Sequence, residues 1–162
     1  MSRDEWQHQL ADLLGHCRIG FLATQGRDGP ESSMAPYALH DGGILLHLSR
    51  LARHTANIAE HASAGFMICT PETSMASPLA LPRLSLQGSM TPVPPDGLDV
   101  ARQAYLQVIA DAGPLFGFAD FGLYHLDPAR IHWVGGFGKA RDISRAAWQN
   151  ICTGNLSATG QT

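Results

Sequence analysis

Arg50, Arg53 and His54 fall within the stretch LLHLSRLARHTANI, residues 45–58, where an apolar run breaks into a short polar turn and then takes on helical spacing. Backbone N–H groups at a helix start are unpaired and carry partial positive charge, so an anion there gains hydrogen bonds and Coulomb attraction together. Thr55 adds a hydroxyl to the same place. The chemistry this spacing suits is the holding of a phosphate or carboxylate. Against it stands the plainer reading, two arginines solvated at a helix start.

Other reactive side chains form no comparable group. His54 and His61 are seven apart and could share a helix face, yet there is no HExxH and no matching carboxylate pair, so a zinc site is not expected. His47 sits in an apolar strand and reads as a core or lumen residue. Cys17, Cys69 and Cys152 are odd in number, widely spaced and without a CxxC, which indicates neither a disulfide framework nor a zinc knuckle. There is no GxSxG and no Ser-His-Asp order, so covalent hydrolase chemistry is excluded.

The elements that position these residues follow from composition and period. With 162 residues and 44% hydrophobic content, residues 1–150 make a single domain with a real core, and residues 151–162 read as a flexible C-terminal tail. A net charge of −3 with dispersed Lys and Arg excludes a nucleic-acid footprint. No apolar run approaches the roughly 20 residues that span a bilayer, and MSRDEWQHQL lacks the parts of a signal peptide, so no membrane partner and a cytoplasmic location are expected. Trp6, Leu10, Leu13 and Leu14 place a helix over residues 4–15. Residues 19–24, 31–39 and 44–48 form an antiparallel meander through the turns QGRDGP and HDGG. A helix over 52–61, a strand over 65–70, a loop over 71–81, a strand over 83–91 and a helix over 98–110 follow. Residues 121–126 and 130–134 read as a last hairpin around Asp127 and Pro128, and VGGFGKARD as irregular. The class is mainly β (β+α), an antiparallel six-stranded barrel with helices packed outside, since closure removes sheet edges.

The ordered series GFLAT, DGPESSMAPYAL, LLHLSRLARHTANIAEHASAGF, PRLSLQG and DFGLYHLDPARIHWVGGFGKA resembles the FMN-binding split-barrel superfamily, the pyridoxamine phosphate oxidase-like group, over about residues 10–142. Within it the chain is most similar to the branch associated with haem utilisation. The resemblance implies a homodimeric split barrel with FMN at the subunit interface. The arginine and lysine that grip the flavin phosphate in the family fall on Arg53 and His54, so a titratable imidazole replaces one fixed charge and phosphate affinity is expected to weaken as pH rises. Ser33, Met34, Ala35 and Tyr37, with Leu48 and Ser49, match strand positions along the flavin ring, and Arg83 matches a polar residue that reaches it. Met34 and Tyr37 also read as barrel filling, and Arg83 as a surface arginine covering apolar area with its stem. Gln87, Gly135 to Gly138, Lys139 and Arg141 match weaker contributions from a partner subunit.

The function the resemblance implies is an FMN flavoprotein, an oxidoreductase taking electrons from a small-molecule redox substrate or electron donor, with no catalytic side chain identified. The alternative is a haem-binding or haem-degrading utilisation protein on the same fold, and a non-catalytic ligand-binding module is a third reading. Haem-degrading members supply an axial histidine from the C-terminal region, whereas this chain has none after His132. Asp120 matches an acidic residue of that branch and also reads as a turn residue.

Overall fold

The computed structural model describes residues 5–74 and 77–158. Helix α1 (Glu5–His16) buries Trp6, Leu10, Leu13 and Leu14, the face that the spacing marks. Strands β1 (Ile19–Gly26) and β2 (Gly29–Pro36) pair antiparallel from Ile19 opposite Pro36 to Gly26 opposite Gly29. Tyr37 separates β2 from β3 (Ala38–His40), which turns into β4 (Gly43–Ser49). That turn has Asp41 at φ 48° and Gly42 at φ 70°, the two positive angles a type I′ hairpin requires and an Asp-Gly pair tolerates. Helix α2 (Arg53–Glu60), β5 (Ser63–Cys69), β6 (Arg83–Pro92), α3 (Leu98–Val108), β7 (Phe121–Val134), β8 (Ala140–Asp142) and α4 (Arg145–Ala158) complete the order.

One antiparallel sheet of eight strands runs β2-β1-β5-β6-β7-β4-β3, with β8 added to β7. The ladder of hydrogen bonds does not close on itself. Its two edges are β2 and β3, which are successive parts of the chain a single residue apart, so the sheet must curl until its edges meet at Tyr37. This is a split barrel. The expected count of six strands becomes eight, because the second strand is broken at Tyr37 and the glycine-rich segment recovers into β8.

Two further expectations are corrected. Residues 121–134 are one strand, not a hairpin: β7 pairs with β6 from Tyr124 to Val134, and its register shifts where Gln87 faces Arg130 and Gly88 faces Pro128, leaving Ala129 as a bulge. Proline has no N–H to give a ladder, and a bulge is where a strand accommodates it. Residues 151–158 are not a tail but the second half of α4, with Ile151 and Cys152 buried; residues 159–162 lie outside the described residues. Trp148 anchors this helix, fully buried, its indole N–H donating to the Gly42 carbonyl at 2.7 Å.

The main core fills the barrel and the space under α1 and α4, with Leu22, Phe66, Ile68, Leu84 and Trp133 at its centre. A second core lies on the other side of β4, where Leu45 and Leu123 pack against Ala101 and Tyr105 of α3. No helix among the described residues is long and apolar enough to cross a membrane.

Candidate functional site

Strand period divides the residues marked in the sequence. Successive side chains on a strand point to opposite faces. Ser33 and Ala35 therefore share the inner side of β2 with Glu31, while Met34 stands on the outer side, 58% exposed. Ser33, Met34 and Ala35 cannot line one face together. Tyr37 sits at the bend in the barrel core, edge-on to Phe66 with ring centroids 5.5 Å apart. Its phenol oxygen is buried without a hydrogen-bond partner, and burial, helped by the nearby Cys17 thiol, pushes its pKa far up.

The start of α2 does gather several of the others. Ala52 caps the helix without a side-chain bond, and the N–H groups of Thr55 and Ala56 both go to its carbonyl. Ser49 is held in this turn: its hydroxyl accepts from the Leu51 N–H at 3.2 Å, and its carbonyl accepts from the Thr55 hydroxyl at 2.6 Å. His54 Nδ1 lies 3.5 Å from the Ser33 hydroxyl, and Nε2 is buried with no partner. Burial lowers the His54 pKa, so the imidazole is neutral near neutral pH. The expected loss of positive charge with rising pH is thus moved to more acidic conditions. Arg53 forms an ion pair with Glu31, whose other oxygen accepts from Asn57 at 3.0 Å. Arg50 is tied elsewhere, its guanidinium donating to the Ala119 carbonyl at 3.0 Å and its N–H to that of Asp120 at 2.5 Å.

The charges at this site decide what it fits. Arg53 is matched by the Glu31 carboxylate, burial disfavours charge on the imidazole, and Arg50, which bonds a neutral carbonyl, keeps an unmatched charge. A phosphate dianion would have to displace Glu31 from Arg53.

Arg83 is not part of this group. It pairs across the sheet with Cys69 and donates to the Leu81 carbonyl at 3.1 Å. Gln87 is exposed on an open strand face. Gly135 to Gly138 form a turn in which the Lys139 N–H donates to Gly136 at 3.2 Å, and Arg141 stacks over Trp6 at 4.9 Å. His47 packs flat against Phe116, centroids 3.9 Å apart, on the second core.

A larger space lies at the corner where α1 enters β1, a cavity of about 580 Å³. Its walls are mainly apolar, built by Ile19, Phe21, Leu81 and Ile109 from segments far apart in sequence. Volumes of about 300–1,000 Å³ with apolar walls and a few polar groups suit a small organic ligand. His16, Cys17 and Arg18 stand together on its lining. The His16 Nδ1 lies 2.7 Å from the Asp12 carbonyl, which only accepts, so Nδ1 carries a proton and donates it. The Cys17 thiol donates to the Cys69 carbonyl at 3.6 Å, and burial, then the neighbouring Cys69, raises its pKa. Sequence reasoning missed this cluster. Its one local sign is HCR directly after an amphipathic helix, which carries no distinguishing period.

Among the described residues no group of three or more His, Cys, Asp or Glu side chains could hold a metal ion. The outer face of the sheet beside the cavity bears an apolar row: Met34, Phe21 and Met67 lie opposite one another across β2, β1 and β5, all exposed, with Ile19 two residues from Phe21.

The family model described as CREG, beta-barrel matches residues 24–150. The chain is 30% identical over 135 residues to the protein named heme oxygenase HutZ of Vibrio cholerae serotype O1, covering 78% of this chain and 73% of that one. A heme binding protein from Mycobacterium smegmatis superposes with a TM-score of 0.82 at 29% identity, over 92% of this chain. The chain spans 62% of the length of that Mycobacterium protein. The crystal structure of Vibrio cholerae HutZ, described there as a heme storage protein, gives a TM-score of 0.60 at 25% identity over 76% of this chain and 91% of that one.

Proposed function

The chain belongs to the CREG beta-barrel family, on the split-barrel fold of the pyridoxamine phosphate oxidase-like superfamily, and from that premise we propose that it is a haem-binding protein of the haem-utilisation type, acting as a homodimer. The observation that carries this reading is the 30% identity to a heme oxygenase over most of both chains. A second support is chemical. At the start of α2 an anion would compete with Glu31 for Arg53, whereas the α1–β1 corner offers mainly apolar walls with His16 on their lining. Haem, when bound, supplies a redox-active iron. The chain supplies the mainly apolar walls of the cavity.

The homodimer is supported by the row of Ile19, Phe21, Met34 and Met67, since a contiguous exposed apolar patch costs free energy in water until something covers it. Ile19 and Phe21 belong to both the row and the cavity wall, so a second copy seated there would also shield the cavity.

The test is a paired titration of the purified protein with haemin and with FMN, followed by Soret absorbance and flavin fluorescence. Saturable growth and shift of the Soret band, with flavin fluorescence unchanged at the same protein concentrations, is expected. Saturable quenching of FMN with no response to haemin would replace this reading by a flavoprotein.

A further inference from the structure

We propose that Cys17 and Cys69 are a reversible dithiol–disulfide pair on the wall of the α1–β1 cavity, with hydrogen peroxide as the oxidant. The fold brings together two residues 52 apart in sequence: the Cys17 thiol donates to the Cys69 carbonyl at 3.6 Å, and both residues line the cavity. In the β1–β5 register Phe21 faces Met67, so Cys69 comes level with Ile19, two residues beyond Cys17. The Cys69 thiol in turn donates to the Thr70 carbonyl at 3.4 Å. A thiol is a weak donor, so either sulfur gives up its carbonyl at little cost. The residue whose carbonyl Cys17 touches is the one that carries the second sulfur.

The two sulfurs differ in access, which fixes the order of events. Cys69 is half-buried at the end of β5, whereas Cys17 is buried, 9% exposed. Burial, then the neighbouring Cys69, raises the Cys17 pKa, so Cys17 rests as the neutral thiol. Peroxide therefore meets Cys69 first. The Cys69 thiolate attacks one peroxide oxygen, the O–O bond breaks, and a sulfenic acid and hydroxide form. The Cys17 sulfur then displaces hydroxide from the Cys69 sulfur as the S–S bond forms, and its proton leaves with that hydroxide as water. Over both steps two thiols lose two electrons and two protons, and one peroxide takes them up to become two waters.

Cys152 takes no part. It is buried on α4 in the main core, is absent from the cavity lining, and has its pKa pushed up to about 12 by burial. The new bond joins the residue after α1 to the last residue of β5, from which Thr70, Pro71 and Glu72 continue along the cavity wall. Oxidation thus pins that segment to the α1–β1 corner, and a thiol reductant releases it. The inference stands apart from the haem reading, since it needs only the two sulfurs and the peroxide.

The experiment exposes the reduced full-length protein to a slight excess of hydrogen peroxide, counts thiols with a maleimide after unfolding, and maps an unreduced tryptic digest by mass spectrometry. The three free thiols should fall to one, at Cys152, with the Cys17 and Cys69 peptides joined within one chain, and dithiothreitol should restore all three. In Cys17→Ser the oxidation should stop at a Cys69 sulfenic acid trapped by dimedone, in about tenfold or greater yield than in the wild type. In Cys69→Ser the Cys17 thiol should be lost about tenfold or more slowly. Cys152→Ser should form the bond as the wild type does. A linked peptide containing Cys152, a bond between two chains, sulfinic acid at Cys69 with Cys17 still free, or three unchanged thiols overturns the proposal. The wild-type map decides this even where a cysteine variant fails to fold.

Discussion

His47 and His54 place imidazoles where solvation is poor, and burial lowers the pKa of each. The unfolded chain then takes up protons on acidification before the folded one does, so stability rises with pH across that range. The contribution is intact above the ordinary histidine value of 6.5 and is lost as pH falls through the lowered folded values. The urea midpoint should therefore drop between about pH 7 and about pH 5, and replacing both residues, His47→Leu with His54→Asn, should flatten that drop. A wild-type midpoint indifferent to pH over this range would remove both from the account. The same burial takes His54 out of the charges that a sequence reading counts at the start of α2. Arg53 and His54 are correctly placed at the start of a helix, but Glu31, 22 residues earlier, pairs with one, and burial lowers the pKa of the other.

At the scale of elements, β7 shows how one strand can read as two. The Asp127 and Pro128 pair carries a turn signal, yet β6 pairs with both flanks and absorbs the proline as a bulge. Gly88 is the residue of β6 that makes this possible, since a Cβ there would overlap the Asp127 carbonyl oxygen, a backbone atom that cannot swing aside. Gly88→Ala should cost about 1–3 kcal/mol in urea unfolding. Gly113→Ala, where an added Cβ meets nothing within 4 Å, should stay within about 0.5 kcal/mol of wild type. Equal effects would mean that the bulge gives way freely. Amphipathic α1, alternating β1 and the Asp41-Gly42 turn were legible because each is decided by residues a few positions apart. Helix α4 was not, because its polar and small residues show no strong period and its anchor is Trp148 reaching the Gly42 carbonyl 106 residues away.

For the molecule as a whole, the exposed row on the outer face is the feature a single chain leaves unresolved. Phe21 is 45% exposed and points away from the barrel, so Phe21→Asp should fold while sedimentation shows the chain mass in place of the twofold mass expected of the wild type. A wild type at the chain mass would refute the homodimer outright. The sequence by itself determined the mainly β class, the order of the elements as far as α3, the helix start at Arg53 and the family to which the chain belongs, because period, turn residues and ordered motifs are short-range properties. Only the tertiary structure decided that the sheet's edges meet at Tyr37, that Met34 and Ser33 face opposite ways, that Arg53 is already paired, and that His16 shares a cavity with Phe21, Leu81 and Ile109. Those outcomes depend on pairing between segments tens of residues apart, and the free energy that selects such pairing is burial and charge neutralisation in the assembled barrel, which no local window contains.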